Sequence, residues 1–211
     1  MVPIKTITIY CIWAIFSGSV PFGFFVIKLS GMGDVRAYGS GNIGATNVMR
    51  TGGNLLGIIT LILDAAKGFF PVFLAKRVGH LEPEALTLVI LAAVVGHMFT
   101  PWLKFRGGKG VATAMGAILA YHPIIILPAV MTFLVTVILS DYISLGSITA
   151  TLVLFLTATG VLGKWGLLSQ TGLTTNLSTL NWAILAVMVI TKHKENIKRI
   201  FYGTESKYRS I

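Results

Sequence analysis

A chain of 211 residues that is 55% hydrophobic and 11% charged, with a mean hydropathy of +0.82, reads as an integral membrane protein. A soluble domain carries about 25% charged residues, so that class is excluded. The formal charge of +10 is assigned to membrane topology and anionic lipid, not to nucleic acid, and the single Cys11 excludes a disulfide framework and a thiolate metal cluster.

The N-terminus resembles a secretory signal, with Lys5 followed by Ile7 to Phe16. A small-x-small cleavage site is missing where one is needed, and hydrophobicity resumes through Ile27 after Pro21 and Phe22. The segment is therefore read as a first membrane helix over 6–27. Next comes a glycine-rich loop, Gly39-Ser40-Gly41-Asn42-Ile43-Gly44-Ala45-Thr46-Asn47, with Arg50 behind it. A second span over 54–75 contains Asp64 and Lys67, three residues apart on one helical face. A third, 84–103, carries His97 near its end. A second glycine-rich loop follows, Phe105-Arg106-Gly107-Gly108-Lys109-Gly110. The hydrophobic stretch 110–140 is too long for one crossing and is broken at Tyr121-His122-Pro123, because proline disrupts a helix interior. It predicts a short helix 110–121 and a longer one 123–140. Span 145–163, a polar outer loop 164–179 and a short span 180–192 complete the chain, which reads as one polytopic domain over 1–211 without an internal repeat.

Seven spans put both glycine-rich loops on the same side. That side then receives twelve basic residues: Lys28, Arg36, Arg50, Lys104, Arg106, Lys109, Lys192, Lys194, Lys198, Arg199, Lys207 and Arg209. Lys5, Lys76, Arg77 and Lys164 fall on the other. The positive-inside rule makes the richer side cytoplasmic, with the N-terminus outside and the C-terminus inside. A five-span count, which merges or drops the two short helices, leaves both loops on that side.

Three polar clusters at one face are candidates for chemistry. In the first loop Ser40 offers a hydroxyl, Asn42 and Asn47 offer amides, and Arg50 offers a fork that fits phosphate bidentately. An interfacial turn with a positive-inside arginine is the plainer alternative. In the second, Gly107, Gly108, Lys109 and Gly110 lead into a helix from Val111. A helix N-terminus beside a lysine favours an anion. The loop is not a Walker A motif, since Gly110 stands where that motif needs Ser or Thr. The third cluster, Lys192-His193-Lys194-Glu195-Asn196, supplies stop-transfer charges, but His193 and Asn196 serve no topological purpose. Metal-ligand spacing, a Gly-x-Ser-x-Gly elbow and a His-x4-Asp pair are all missing.

Taken together, Ser40 to Asn47 with Arg50, Gly107 to Thr113, and His193-x-Glu195-Asn196-Ile197-x-Arg199 resemble the three signature motifs of the PlsY family. Asp64-x-x-Lys67-Gly68, Gly96-His97 and Ser144-Leu145-Gly146-Ser147-Ile148 resemble further family positions, in order along nearly the whole chain. The resemblance implies a bacterial inner-membrane acyltransferase. It would move a fatty acyl group from acyl phosphate to the 1-position hydroxyl of glycerol 3-phosphate, releasing lysophosphatidic acid and inorganic phosphate. No cofactor, metal, nucleic acid or obligate protein partner is implied; the partners are the two substrates and membrane lipid.

The roles expected from the resemblance are these. Arg50, Lys109 and the backbone of Gly107, Gly108 and Gly110 bind phosphate, the second loop favouring glycerol 3-phosphate. Ser40, Asn42 and Thr46 bond substrate oxygens near the reacting carbonyl. His193 and Asn196 orient the glycerol hydroxyl or bind its phosphate, and Lys67 and Ser147 add phosphate contacts. Direct transfer is expected in preference to an acyl-Ser40, which has no Asp/His relay in sequence. The proton acceptor is left open between His193 and the phosphate of the donor. Asp141 departs from the family pattern, where a basic residue commonly stands. On physical grounds alone, a transporter of a phosphorylated solute or a structural membrane partner remain rivals.

Overall fold

The computed structural model describes residues 2–160 and 176–208, and among these every regular element is helical. Two compact units divide the chain after Tyr121. The first holds α1 (Ile4–Ser19), α2 (Phe22–Leu29), α3 (Ala45–Gly52), α4 (Asn54–Arg77), α5 (Pro83–Met98) and α6 (Val111–Tyr121). The second holds α7 (Pro123–Ser140), α8 (Ile143–Ala158), α9 (Asn176–Lys192) and α10 (Lys194–Phe201). Among the described residues, four segments are long and apolar enough to cross a membrane: Ile4–Leu29, Asn54–Arg77, Pro83–Leu103 and Pro123–Ser140. Helices α6, α8 and α9 are apolar but shorter.

The break expected at Tyr121-His122-Pro123 is present: His122 is extended and Pro123 opens α7 at a position where its missing N–H costs nothing. The single helix expected over 6–27 is instead two. Val20 is extended (φ −62°, ψ 117°) ahead of Pro21, because proline pushes its predecessor out of the helical region. The third expected span, 84–103, matches the segment Pro83–Leu103, whose α-helix α5 stops at Met98 and is followed by a 3-10 turn at Pro101–Leu103. Of the expected outer loop, 164–175 lies outside the described residues, while Asn176 already belongs to α9.

Close backbone approach organises the first unit. A Cβ on Gly68 would overlap the Thr113 carbonyl, and one on Gly116 would overlap the Ala65 carbonyl, so α4 and α6 meet without side chains between them. Gly18 and Gly96 do the same for α1 and α5. This is the small-residue packing that brings helices together in lipid, where apolar side chains gain little by leaving the solvent. Ile58, Ile62, Phe70 and Phe73 of α4 project outward, as lipid-facing side chains do. In the second unit α7 and α8 are joined by a Thr136–Thr149 hydroxyl pair at 3.0 Å, and Gly146 lies against Phe133 and Val137.

Candidate active site

Asn47 organises the first loop. It is 2% exposed and its Nδ2 donates to the carbonyls of Val35, Tyr38 and Asn42 at 3.0, 3.0 and 2.8 Å, while its Oδ1 accepts from the Ser40 N–H at 2.8 Å. The loop needs this because Gly39 and Gly41 take positive φ (53° and 68°) and leave their neighbours without ladder partners. Asn47 is therefore spent on the fold. Asn42 is partly spent too: its Oδ1 accepts from the Gly44 N–H at 2.9 Å, forming the turn that enters α3. Ser40 is exposed, Thr46 half-buried on the first turn of α3, and neither hydroxyl donates a hydrogen bond within the described residues. Arg50 lines an open cleft of about 520 Å³ with Met32, Tyr38, Gly39 and Thr51. The neighbouring Arg36 is held by Asp34 at 2.6 Å.

The second loop starts from the same small core. Leu103 is buried with Ile27, Val35, Ile43 and Val48, which ties the approach to the glycines to the base of the first loop. Lys104 and Phe105 adopt left-handed backbone (φ 54° and 62°), turning the chain back on α5. There the amides of Gly107 and Gly108 donate to the carbonyls of Met98 and His97, each at 3.2 Å. This corrects the expectation that these two N–H groups cradle phosphate: both are used to close the C-terminus of α5. The half-buried Lys109 side chain stands beside the Gly110 amide and the first-turn amides of α6, and those first-turn amides have no intrahelical acceptor.

Lys67 also differs from its expected role. It lies 2.7 Å from Asp64, its Nζ donates to the Val20 carbonyl at 2.6 Å and sits 5.6 Å from the Phe22 ring centre. With its side chain only 3% exposed, it ties α4 to the α1–α2 break and is not presented to a phosphate. His97 stands beside the pair, its Nδ1 3.9 Å from the Asp64 carboxylate.

In the second unit the third cluster is built on a residue that the sequence reading passed over. Glu205 accepts from Ser144 Oγ at 2.7 Å, Asn196 Nδ2 at 2.6 Å and Arg199 Nε at 2.7 Å. Burial pushes its carboxyl up, but these three donors and the Arg199 charge outweigh that and hold it below the usual glutamate value. Its one sequence signal was an acid placed among basic tail residues. Glu195 pairs with Lys198 at 3.5 Å on the surface. His193 is 2% exposed and its Nδ1 meets the Val189 carbonyl at 2.8 Å. A carbonyl only accepts, so Nδ1 carries a proton and donates it to Val189. Ser147 donates its hydroxyl to the Ile143 carbonyl at 2.9 Å, so a phosphate contact there requires that hydroxyl to turn away. Asp141 ends α7 in left-handed backbone, and its carbonyl accepts from the Tyr208 amide at 2.7 Å.

A family model described as glycerol-3-phosphate acyltransferase matches residues 8–203, which contain all three sequence motifs. The chain belongs to the glycerol-3-phosphate acyltransferase family. It is 43% identical over 193 residues to the glycerol-3-phosphate acyltransferase of Geobacter sulfurreducens, covering 92% of this chain and 93% of that one. The corresponding protein of Trichlorobacter lovleyi is 46% identical over 193 residues with the same coverage. Crystal structures of PlsY, an integral membrane glycerol 3-phosphate acyltransferase, share the fold. The glycerol 3-phosphate form gives a TM-score of 0.85 at 35% identity, and the lysophosphatidic acid form 0.82 at 34%, each covering 95% of this chain and 94% of the other. The chain is thus an all-helical integral membrane acyltransferase, and the transporter and structural-partner readings fall away.

Proposed function

We propose that this protein transfers a fatty acyl group from acyl phosphate to the 1-position hydroxyl of glycerol 3-phosphate, giving lysophosphatidic acid and inorganic phosphate. The observation that carries the reading is a pair of separate cationic positions in the first unit, Arg50 in its cleft and Lys109 at the start of α6. Both substrates of such a reaction carry phosphate, and each position suits one. The solved forms of PlsY with glycerol 3-phosphate and with lysophosphatidic acid support the acceptor and the product.

In this reading Arg50 clamps the acyl phosphate, with Ser40, Asn42 and Thr46 bonding oxygens near its carbonyl, while Lys109 and the amides from Gly110 onward hold glycerol 3-phosphate. The glycerol oxygen attacks the acyl carbonyl carbon, the bond from that carbon to the phosphate oxygen breaks, and phosphate leaves with the electron pair. Asn196, turned by Glu205, and His193 orient the attacking hydroxyl. Its proton has two acceptors, His193 Nε2 and the departing phosphate. No acyl-enzyme forms. The basic bias of one set of loops supports a single acyltransferase of the bacterial cytoplasmic membrane. Its N-terminus lies outside, and its site faces the cytoplasm, where glycerol 3-phosphate is dissolved, while the acyl chain stays in lipid.

Purified protein in lipid vesicles, supplied with labelled glycerol 3-phosphate and acyl phosphate, should yield lysophosphatidic acid and phosphate in equal amounts. Product formed from an acyl thioester but not from acyl phosphate would overturn the donor, and no product from any donor would overturn the reading.

A further inference from the structure

His97 is a buried histidine that no step above uses. It is 3% exposed at the last turn of α5, and three of its features point to the second glycine loop. Its carbonyl accepts from the Gly108 amide at 3.2 Å. Its ring lies so close to Gly108 that a Cβ there would overlap Nε2. Its Nδ1 faces the Asp64 carboxylate at 3.9 Å. Asp64 is fixed in turn by Lys67 at 2.7 Å, and Lys67 by the Val20 carbonyl at 2.6 Å, while Ser17 Oγ donates to the Lys67 carbonyl at 2.8 Å. The imidazole is thus wedged between a charged pair on α4, tied to α1 and to the α1–α2 break, and the backbone of the loop that precedes Lys109.

An apolar side chain would fill this space as well, and burying a histidine beside a carboxylate in a membrane segment is costly. A flat ring with a polar edge toward Asp64 does something an aliphatic side chain does not. It sets both the depth and the direction of the Nε2 edge against which Gly108 rests. One residue later the chain must present Lys109, and two later Gly110 turns at φ 83° into α6. A small rotation at Gly108 therefore moves the ammonium and the first-turn amides together. Phosphate affinity depends on these donors converging, since each contributes little alone.

We propose that His97 is a positioning residue for glycerol 3-phosphate: its ring, held by the Asp64–Lys67 pair, fixes the Gly107–Gly108 segment so that Lys109 and the N-terminus of α6 converge on one phosphate. The inference rests on the proposed reaction and adds a residue that touches neither substrate.

The test is a double-mutant cycle between His97→Ala and Gly108→Ala, read as steady-state kinetics in vesicles with acyl phosphate and glycerol 3-phosphate varied separately. Each single variant is expected to raise KM for glycerol 3-phosphate by about tenfold or more while kcat and the KM for acyl phosphate change less than about threefold. Removing the ring relieves the clash that the added methyl creates, so the double variant should be no worse than the poorer single one. Conservative His97→Asn, which keeps a polar edge toward Asp64, should recover part of the lost affinity. Effects that multiply in the double variant, or a KM that rises equally for both substrates, would show a merely structural histidine and overturn the proposal. If His97→Ala does not fold, Gly108→Ala and His97→Asn alone still decide: unchanged KM for glycerol 3-phosphate in both overturns it. Wild-type protein that makes no product would instead overturn the reaction, a distinct outcome.

Discussion

At the residue scale, side chains of similar type have been sorted by what holds them. Lys67 and Lys109 are both lysines beside a glycine, yet one is sealed against Asp64 and Val20 while the other stands half-buried at a helix start. The same sorting separates Asn47, bonded at both ends of its amide, from Asn196, whose nitrogen is fixed by Glu205 so that its oxygen is the acceptor. Glu205 makes a pH prediction. Its carboxyl is held below the ordinary value, so its contribution to stability is present above the unfolded value of about 4.3 and is lost as pH falls through the lower folded one. Thermal unfolding of the wild type should therefore weaken below about pH 4, and Glu205→Gln should unfold earlier at neutral pH with a flatter acid limb. Equal acid sensitivity in both would refute the network's role. For His193→Asn, a fall in kcat of about a hundredfold with loss of the acid limb of the rate profile identifies the ring as the base. Near wild-type rate with an unchanged profile leaves the phosphate as acceptor.

At the element scale, what was legible depended on whether the signal was local. The break between α6 and α7 was visible because Tyr121-His122-Pro123 interrupts a run too long for one crossing. The break at Val20-Pro21 was hidden by unbroken hydrophobicity on both sides of a single proline. Gly107 and Gly108 were recognisable as a loop but misread as a cradle, since the acceptors of their amides lie on α5 and no local pattern reports that. The packing role of glycines 68 and 116 was hidden for the same reason: the carbonyls they admit, of Thr113 and Ala65, belong to the opposite helix. Gly116→Val should destabilise the protein by about 1–3 kcal/mol through overpacking, measured as a lower unfolding midpoint. An unchanged midpoint would mean that α4 and α6 are not locked at that contact.

At the scale of the whole molecule, composition established the class, and the ordered motifs implied the family that the comparisons confirm. Orientation rests on charge alone and has its own check. In a Cys11→Ser background, a cysteine at Lys207 should react with an impermeant thiol reagent only from the cytoplasmic side, and labelling from outside would reverse the proposed topology. The central claim is that two phosphate positions serve two substrates, with the second loop serving glycerol 3-phosphate. Its most direct test is the kinetic response of Lys109→Ala at saturating acyl phosphate. The account predicts that KM for glycerol 3-phosphate rises by about tenfold or more and by more than kcat falls. A loss of kcat at unchanged KM would contradict it.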